Sequence, residues 1–100
     1  MTGTGDDDAI AALTALRARF DTLDDQLVEL IAARLRLAEE AAPLKQALGR
    51  PVVDPIREAE AASRRRTRAH ELTGNASLTG VVDDVFAVLV HASRARQARR

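Results

Sequence analysis

One amphipathic stretch, Leu13 to Leu48, constrains this chain more than any other feature. Apolar residues recur at Leu13, Leu16, Phe20, Leu23, Leu27, Leu30, Leu37, Ala41, Leu44 and Leu48. The spacing alternates three and four, which is the pattern of a helix burying one narrow seam against other helices. Arg34 stands where the next apolar residue should fall, and Lys45 sits beside Leu44 at the seam's edge. Cations on a buried stripe need neutralising, because an unpaired buried charge costs several kcal/mol. Either carboxylates of the protein or an anionic ligand must supply the counter-charge.

Helix geometry narrows that choice. On a regular helix Arg34 and Lys45 differ by about 20° in azimuth and roughly 16 Å along the axis, so their long side chains could close on one small dianion. Arg17 lies near the same seam but roughly 25 Å from Arg34 along the rise. If Arg17 shares the site, it comes from a second copy of the chain.

The apolar share is 46% but only two residues are aromatic, so the core must be Leu, Val, Ile and Ala, a helical-bundle composition. One hundred residues suit one small domain, or a protomer that completes its core by oligomerising. A formal net charge of zero argues against nucleic-acid binding, and Arg64-Arg65-Arg66, with no aromatic residue near it in sequence, reads as a solvated run. Without cysteine there are no disulfides or thiolate metal sites. No apolar run suggests a bilayer span, and the acidic start is unlike a signal peptide, so a cytoplasmic protein without membrane contact is expected.

The pattern predicts an all-α chain of three helices, one long and two shorter. Residues 1–8, with Gly, Thr and three aspartates, read as a disordered tail before a helical domain over 9–100. Helix one is expected from about Ala9 to Leu48, with a bend near Ala42 because Pro43 removes the bond to the Glu39 carbonyl. A helix of that length calls for a partner helix from another subunit, or a kink. Gly49-Arg50-Pro51 ends it. Asp54-Pro55 then opens helix two, expected over Pro55 to about Leu72. Thr73-Gly74-Asn75 is a turn cluster, and helix three is expected from Ser77–Thr79 to about Gln97 with Val82, Val85, Phe86, Leu89 and Val90 as its stripe. Ser93 and Gln97 continue that stripe with polar side chains.

Taken singly, Arg57, Glu58, Ser93 and Gln97 read as surface or helix-end residues. Their order together is more specific. Leu16-Arg17, Leu23-Asp24 with Leu27, Ala33-Arg34, Leu37-Ala38, Lys45, Arg50-Pro51-Val52, Asp54, Arg57-Glu58, Ser93 and Gln97 follow one another over most of the chain. In this the chain resembles the all-helical, type II chorismate mutases. The resemblance implies an intertwined homodimer in which the long first helices pair and each site draws on both chains. It implies that Arg17 is donated across the dimer to a substrate carboxylate, while Arg34 holds a carboxylate from within the chain. Lys45 and Gln97 match the pair that hydrogen-bonds the ether oxygen. Glu58 and the Asp54 backbone match groups holding the ring hydroxyl, and Arg57 and Ser93 match supporting carboxylate contacts.

The implied reaction, chorismate to prephenate, is a unimolecular [3,3] rearrangement needing no nucleophile, metal or cofactor. The expected ligand is a small dicarboxylate. Fixed cations would hold it in a compact geometry, and Lys45 with the neutral amide of Gln97 would stabilise charge on the ether oxygen, so no acidic optimum is expected. Two departures stand out: Leu35 follows Arg34 where many members carry a second arginine, and Ala42-Pro43 precede Lys45 where an uninterrupted helix is usual. The same scaffold could act on 4-amino-4-deoxychorismate or cleave isochorismate to salicylate and pyruvate; the intact Arg57-Glu58 pair favours mutase over lyase. A non-catalytic helical dimer is the alternative from another class.

Overall fold

The computed structural model describes residues 3–98 and is all-helical over that range. Three helices follow in order: α1 (Gly3–Ala47), α2 (Pro55–Thr73) and α3 (Ala76–Ala98). The chain divides into two compact units, Met1–Ala33 and Arg34–Arg100. The first is the N-terminal part of α1. The second holds the C-terminal part of α1 with α2 and α3.

α1 begins at Gly3 rather than near Ala9, so residues 3–8 of the expected tail are helical; Met1 and Thr2 lie outside the described residues. Asp6 falls in the first turn, where a negative side chain meets the positive end of the helix dipole. At the other end α1 runs through Pro43 to Ala47 and closes in a Schellman motif. Gly49, at φ 66°, donates to the Gln46 carbonyl at 3.1 Å, and Arg50 donates to the Lys45 carbonyl at 2.8 Å. The left-handed position needs glycine, and the motif anchors the turn that carries Lys45.

α2 starts as its sequence predicts. Asp54 caps it, its Oδ1 accepting from the Arg57 amide at 3.0 Å, with Pro55 opening the helix. The Asp54 carbonyl accepts from the Glu58 amide at 2.9 Å, so this one residue fixes the first turn on which Arg57 and Glu58 stand. Gly74, at φ 68°, ends α2 by donating to the His70 carbonyl. The cap of α3 is Asn75, two residues before the expected start: its Oδ1 accepts from the Ser77 amide at 2.8 Å and the Ser77 hydroxyl at 2.6 Å.

α2 packs against α3 with Ala69, 3% exposed, at the contact. Among the described residues the buried apolar side chains are alanines, Ala38, Ala42 and Ala69, so of the expected Leu, Val, Ile and Ala core only the alanine part is buried within one chain. Phe86, Leu89, Val82 and Val90 are half-buried, but Val85, Ile56 and Leu72 are exposed. Within the N-terminal unit Leu13, Leu16, Phe20, Leu23, Leu27 and Leu30 are all exposed. The chain leaves these side chains uncovered. Its accessible area is 7899 Å², where a folded monomer of this mass exposes about 5,500 Å².

α3, 23 residues long, is long and apolar enough to cross a membrane by length and composition alone. One such helix is weak evidence of a membrane. Here α3 also carries Asp83, Arg94 and Arg96, ion-paired to Arg66, Glu58 and Glu39 respectively.

Candidate active site

A cleft of about 430 Å³ opens within the Arg34–Arg100 unit, walled by the C-terminal part of α1, the first three turns of α2 and the last two turns of α3. Arg34, Lys45, Arg57, Arg64, Arg65 and Arg94 line it, against the single carboxylate of Glu58. Ala38, Ala41, Ala61, Leu37, Val52 and Val90 supply apolar wall between them, and Ser93 and Gln97 complete the polar lining. Six cations facing one carboxylate make a strongly positive recess, suited to a small polyanion.

Arg34, Lys45, Glu58, Ser93, Arg94 and Gln97 are each held by a specific partner. Arg34 Nη1 donates to Ser93 Oγ at 2.8 Å, and the Ser93 hydroxyl donates in turn to the Leu89 carbonyl at 2.8 Å. Ser93 therefore accepts from the arginine, and its own proton is committed to the helix. Lys45 Nζ donates to the Val52 carbonyl at 2.8 Å and to Gln97 Oε1 at 2.9 Å. The first bond ties the lysine to the segment between α1 and α2. The second turns the Gln97 amide so that its Nε2 donor stays available, and the ammonium keeps a third proton to give. Glu58 accepts a two-pronged bond from Arg94, through Nε at 3.0 Å and through Nη2.

A model of type II chorismate mutases matches residues 16–98, which contain this cleft and every candidate residue. The chain belongs to that family. A chorismate mutase from Methanocaldococcus jannaschii is 31% identical over 90 residues, covering 88% of this chain and 86% of its own length. T-proteins from Enterobacter agglomerans and Haemophilus influenzae are 41% and 33% identical over 63 and 86 residues. The chain spans only 17% and 22% of the lengths of those two T-proteins. No solved structure matches at a significant level.

Of the eight residues that the chorismate mutase resemblance singles out, Arg34, Lys45, Arg57, Glu58, Ser93 and Gln97 line the one cleft. Asp54 does not; it caps α2. Arg17 lies in the N-terminal unit and is exposed. Sequence reasoning missed Arg94, which engages both oxygens of Glu58, and it read Arg64-Arg65-Arg66 as uniformly solvated. Arg64 and Arg66 are exposed as that reading expects, Arg66 with its Nε on both oxygens of Asp83 at 3.0 and 3.1 Å, whereas Arg65 is half-buried. Arg64 and Arg65 line the cleft. A signal was present: Arg57 and Arg64, and Glu58 and Arg65, are seven residues apart, two helical turns, and so share a face.

Proposed function

We propose that this chain converts chorismate to prephenate, as a homodimer, by holding the substrate dianion in a chair-like geometry and stabilising negative charge on its ether oxygen. The observation that carries the reading is the Lys45–Gln97 hydrogen bond at the edge of a recess with a large excess of cations. A [3,3] rearrangement breaks one carbon–oxygen bond and forms one carbon–carbon bond within a single molecule. The protein's work is therefore to restrict conformation and to stabilise the charge that develops as the ether bond breaks.

In this reading Arg34, fixed by Ser93, grips one carboxylate, and Lys45 and the Gln97 amide Nε2 donate to the ether oxygen. Glu58, oriented by Arg94, accepts from the ring hydroxyl, and Asp54 acts by fixing the turn that presents Arg57 and Glu58. Arg17 of the partner subunit reaches the second carboxylate. Two observations support a dimer: the exposed seam from Leu13 to Leu30, and the roughly 2,400 Å² per chain by which the accessible area exceeds that of a folded monomer. Removing that excess from both chains falls in the range of obligate interfaces, about 2,000–5,000 Å².

The test is incubation of the purified protein with chorismate, 4-amino-4-deoxychorismate and isochorismate, with products separated by chromatography. Prephenate from chorismate, as the preferred substrate, is expected. Faster turnover of the amino analogue, or salicylate from isochorismate, would reassign the substrate; no turnover of any would leave the helical dimer without this activity.

A further inference from the structure

We propose that Arg65 joins Arg34 in a twin-guanidinium clamp on one carboxylate of the substrate, with Arg65 setting the affinity for the dianion. This deepens the mutase reading and rests on it.

The two guanidiniums come from different helices and meet at one ring. Arg34 stands 5.4 Å and Arg65 4.3 Å from the centroid of Phe86. The aromatic face attracts each cation and so holds two like charges near one another at the wall of the cleft. Neither has a carboxylate of its own among the described residues. Arg34 is bonded to a neutral hydroxyl. The nearby Asp83 attracts Arg65, but both of its oxygens already accept from Arg66. Arg65 Nε is buried without a hydrogen-bond partner.

Without a ligand the attraction of Phe86 and Asp83 is opposed by burial and by the repulsion between the two cations. Burial lowers the Arg65 pKa first, and the positive charge of Arg34 lowers it further. A guanidinium stays charged under such pressure, so repulsion between the two remains until an anion enters. A carboxylate in the cleft would relieve the repulsion and give the two guanidiniums that line it a planar acceptor, the geometry in which arginine forks bind most strongly. Because the clamp touches a carboxylate that does not react, it should grip substrate and transition state alike. Loss of such uniform binding raises KM and leaves kcat in place.

The test is steady-state kinetics with chorismate for the wild type, Arg65→Gln and Arg65→Lys over a series of KCl concentrations. Losing one charge-assisted contact should raise KM about tenfold to a hundredfold in Arg65→Gln with kcat within about threefold. The dependence of KM on salt should also flatten, a change that a purely structural arginine would not produce. Arg65→Lys keeps the charge but loses the fork, so its KM should rise less, about threefold or more, with the wild-type salt dependence. A KM for Arg65→Gln within about twofold of wild type, or a fall in kcat at unchanged KM, overturns the clamp. If Arg65→Gln loses its helical signal or its dimer, Arg65→Lys decides by the same KM criterion, unchanged KM counting against the clamp. An inactive wild type removes the mutase reading and this inference with it; an active wild type with indifferent variants removes the clamp alone.

Discussion

Exchanging Gln97 for glutamate tests the ether-oxygen donors, because the exchange keeps the size of the side chain and replaces its donor with an ionisable group. In the folded chain Lys45 Nζ already donates to Gln97 Oε1 at 2.9 Å, which leaves the amide Nε2 as the group free to donate. An ionised glutamate accepts only and would bind Lys45 as an ion pair. The cations of the cleft, Lys45 foremost, stabilise that ionised form, so the new carboxyl should titrate below its ordinary value of about 4.3. Fewer than roughly one molecule in 500 would then carry the donating acid form near pH 7. The loss is limited by what Lys45 sustains alone, and removing one preorganised donor costs about 10²–10³ in kcat. Gln97→Glu should therefore lose about 10²–10³ in kcat/KM near pH 7. The sign with pH follows from which form donates: the acid form grows as pH falls, so activity should rise, up to about tenfold per unit, on moving down toward the carboxyl pKa. The wild-type amide does not titrate and should show no such rise. Initial rates of chorismate loss over about pH 5 to 8, with circular dichroism at each pH to separate acid unfolding from chemistry, provide the assay. A variant with a flat profile, or with near-normal turnover at neutral pH, would refute donation by the amide.

Lys45→Ala should lower kcat by at least about 10²-fold, measured at saturating chorismate, with the helical signal unchanged because the lysine is bonded at the edge of the cleft rather than buried in a core. Arg17→Ala and Lys45→Ala should each be nearly inactive as homodimers. Refolded together, they should recover roughly a quarter of wild-type activity per site, since half of the dimers are mixed and one of their two sites is intact. Ala69→Leu should lower the melting temperature by overfilling the α2–α3 contact, at a cost of about 1–3 kcal/mol, since Ala69 is 3% exposed.

What the sequence revealed, and what it hid, follow from how far apart the determinants lie. Helix ends were legible where one residue dictates the backbone: Asp54-Pro55 opens α2, and Gly49 and Gly74 take the left-handed positions that end α1 and α2. The start of α1 was not, because a run of aspartates that reads as a tail also stabilises a helix N-terminus. Asn75 was assigned to a turn although its side chain caps α3; asparagine serves both purposes. The ion pair of Glu58 with Arg94 spans 36 residues between two helices, and no local pattern encodes it. Arg65 departs from the solvated reading of the Arg64-Arg65-Arg66 run for a different reason. Three adjacent residues fan over about 200° of a helix, so charge counting cannot describe all three. Arg64 and Arg65 fall on the azimuth of Arg57 and Glu58, while Arg66 turns toward Asp83.

The apolar seam of α1 links folding to catalysis. Among the described residues the buried apolar side chains are alanines, and the large residues from Leu13 to Leu30 are uncovered. A second chain covering them would supply the missing core. It would also bring Arg17 to the site and exclude water from the cleft, where a lower effective dielectric strengthens each contact with a dianion. On this argument the monomer lacks both stability and a complete site, so specific activity should track the dimer fraction. By mass action, half of the chains are monomeric when the total chain concentration equals the dimer dissociation constant. Dilution through that concentration, found independently by analytical ultracentrifugation, should therefore halve the specific activity, and Leu23→Asp should move the midpoint to higher concentration. Specific activity that stays constant down to concentrations where only monomers sediment would show that one chain builds the whole site, and would remove Arg17 of the partner subunit from the mechanism.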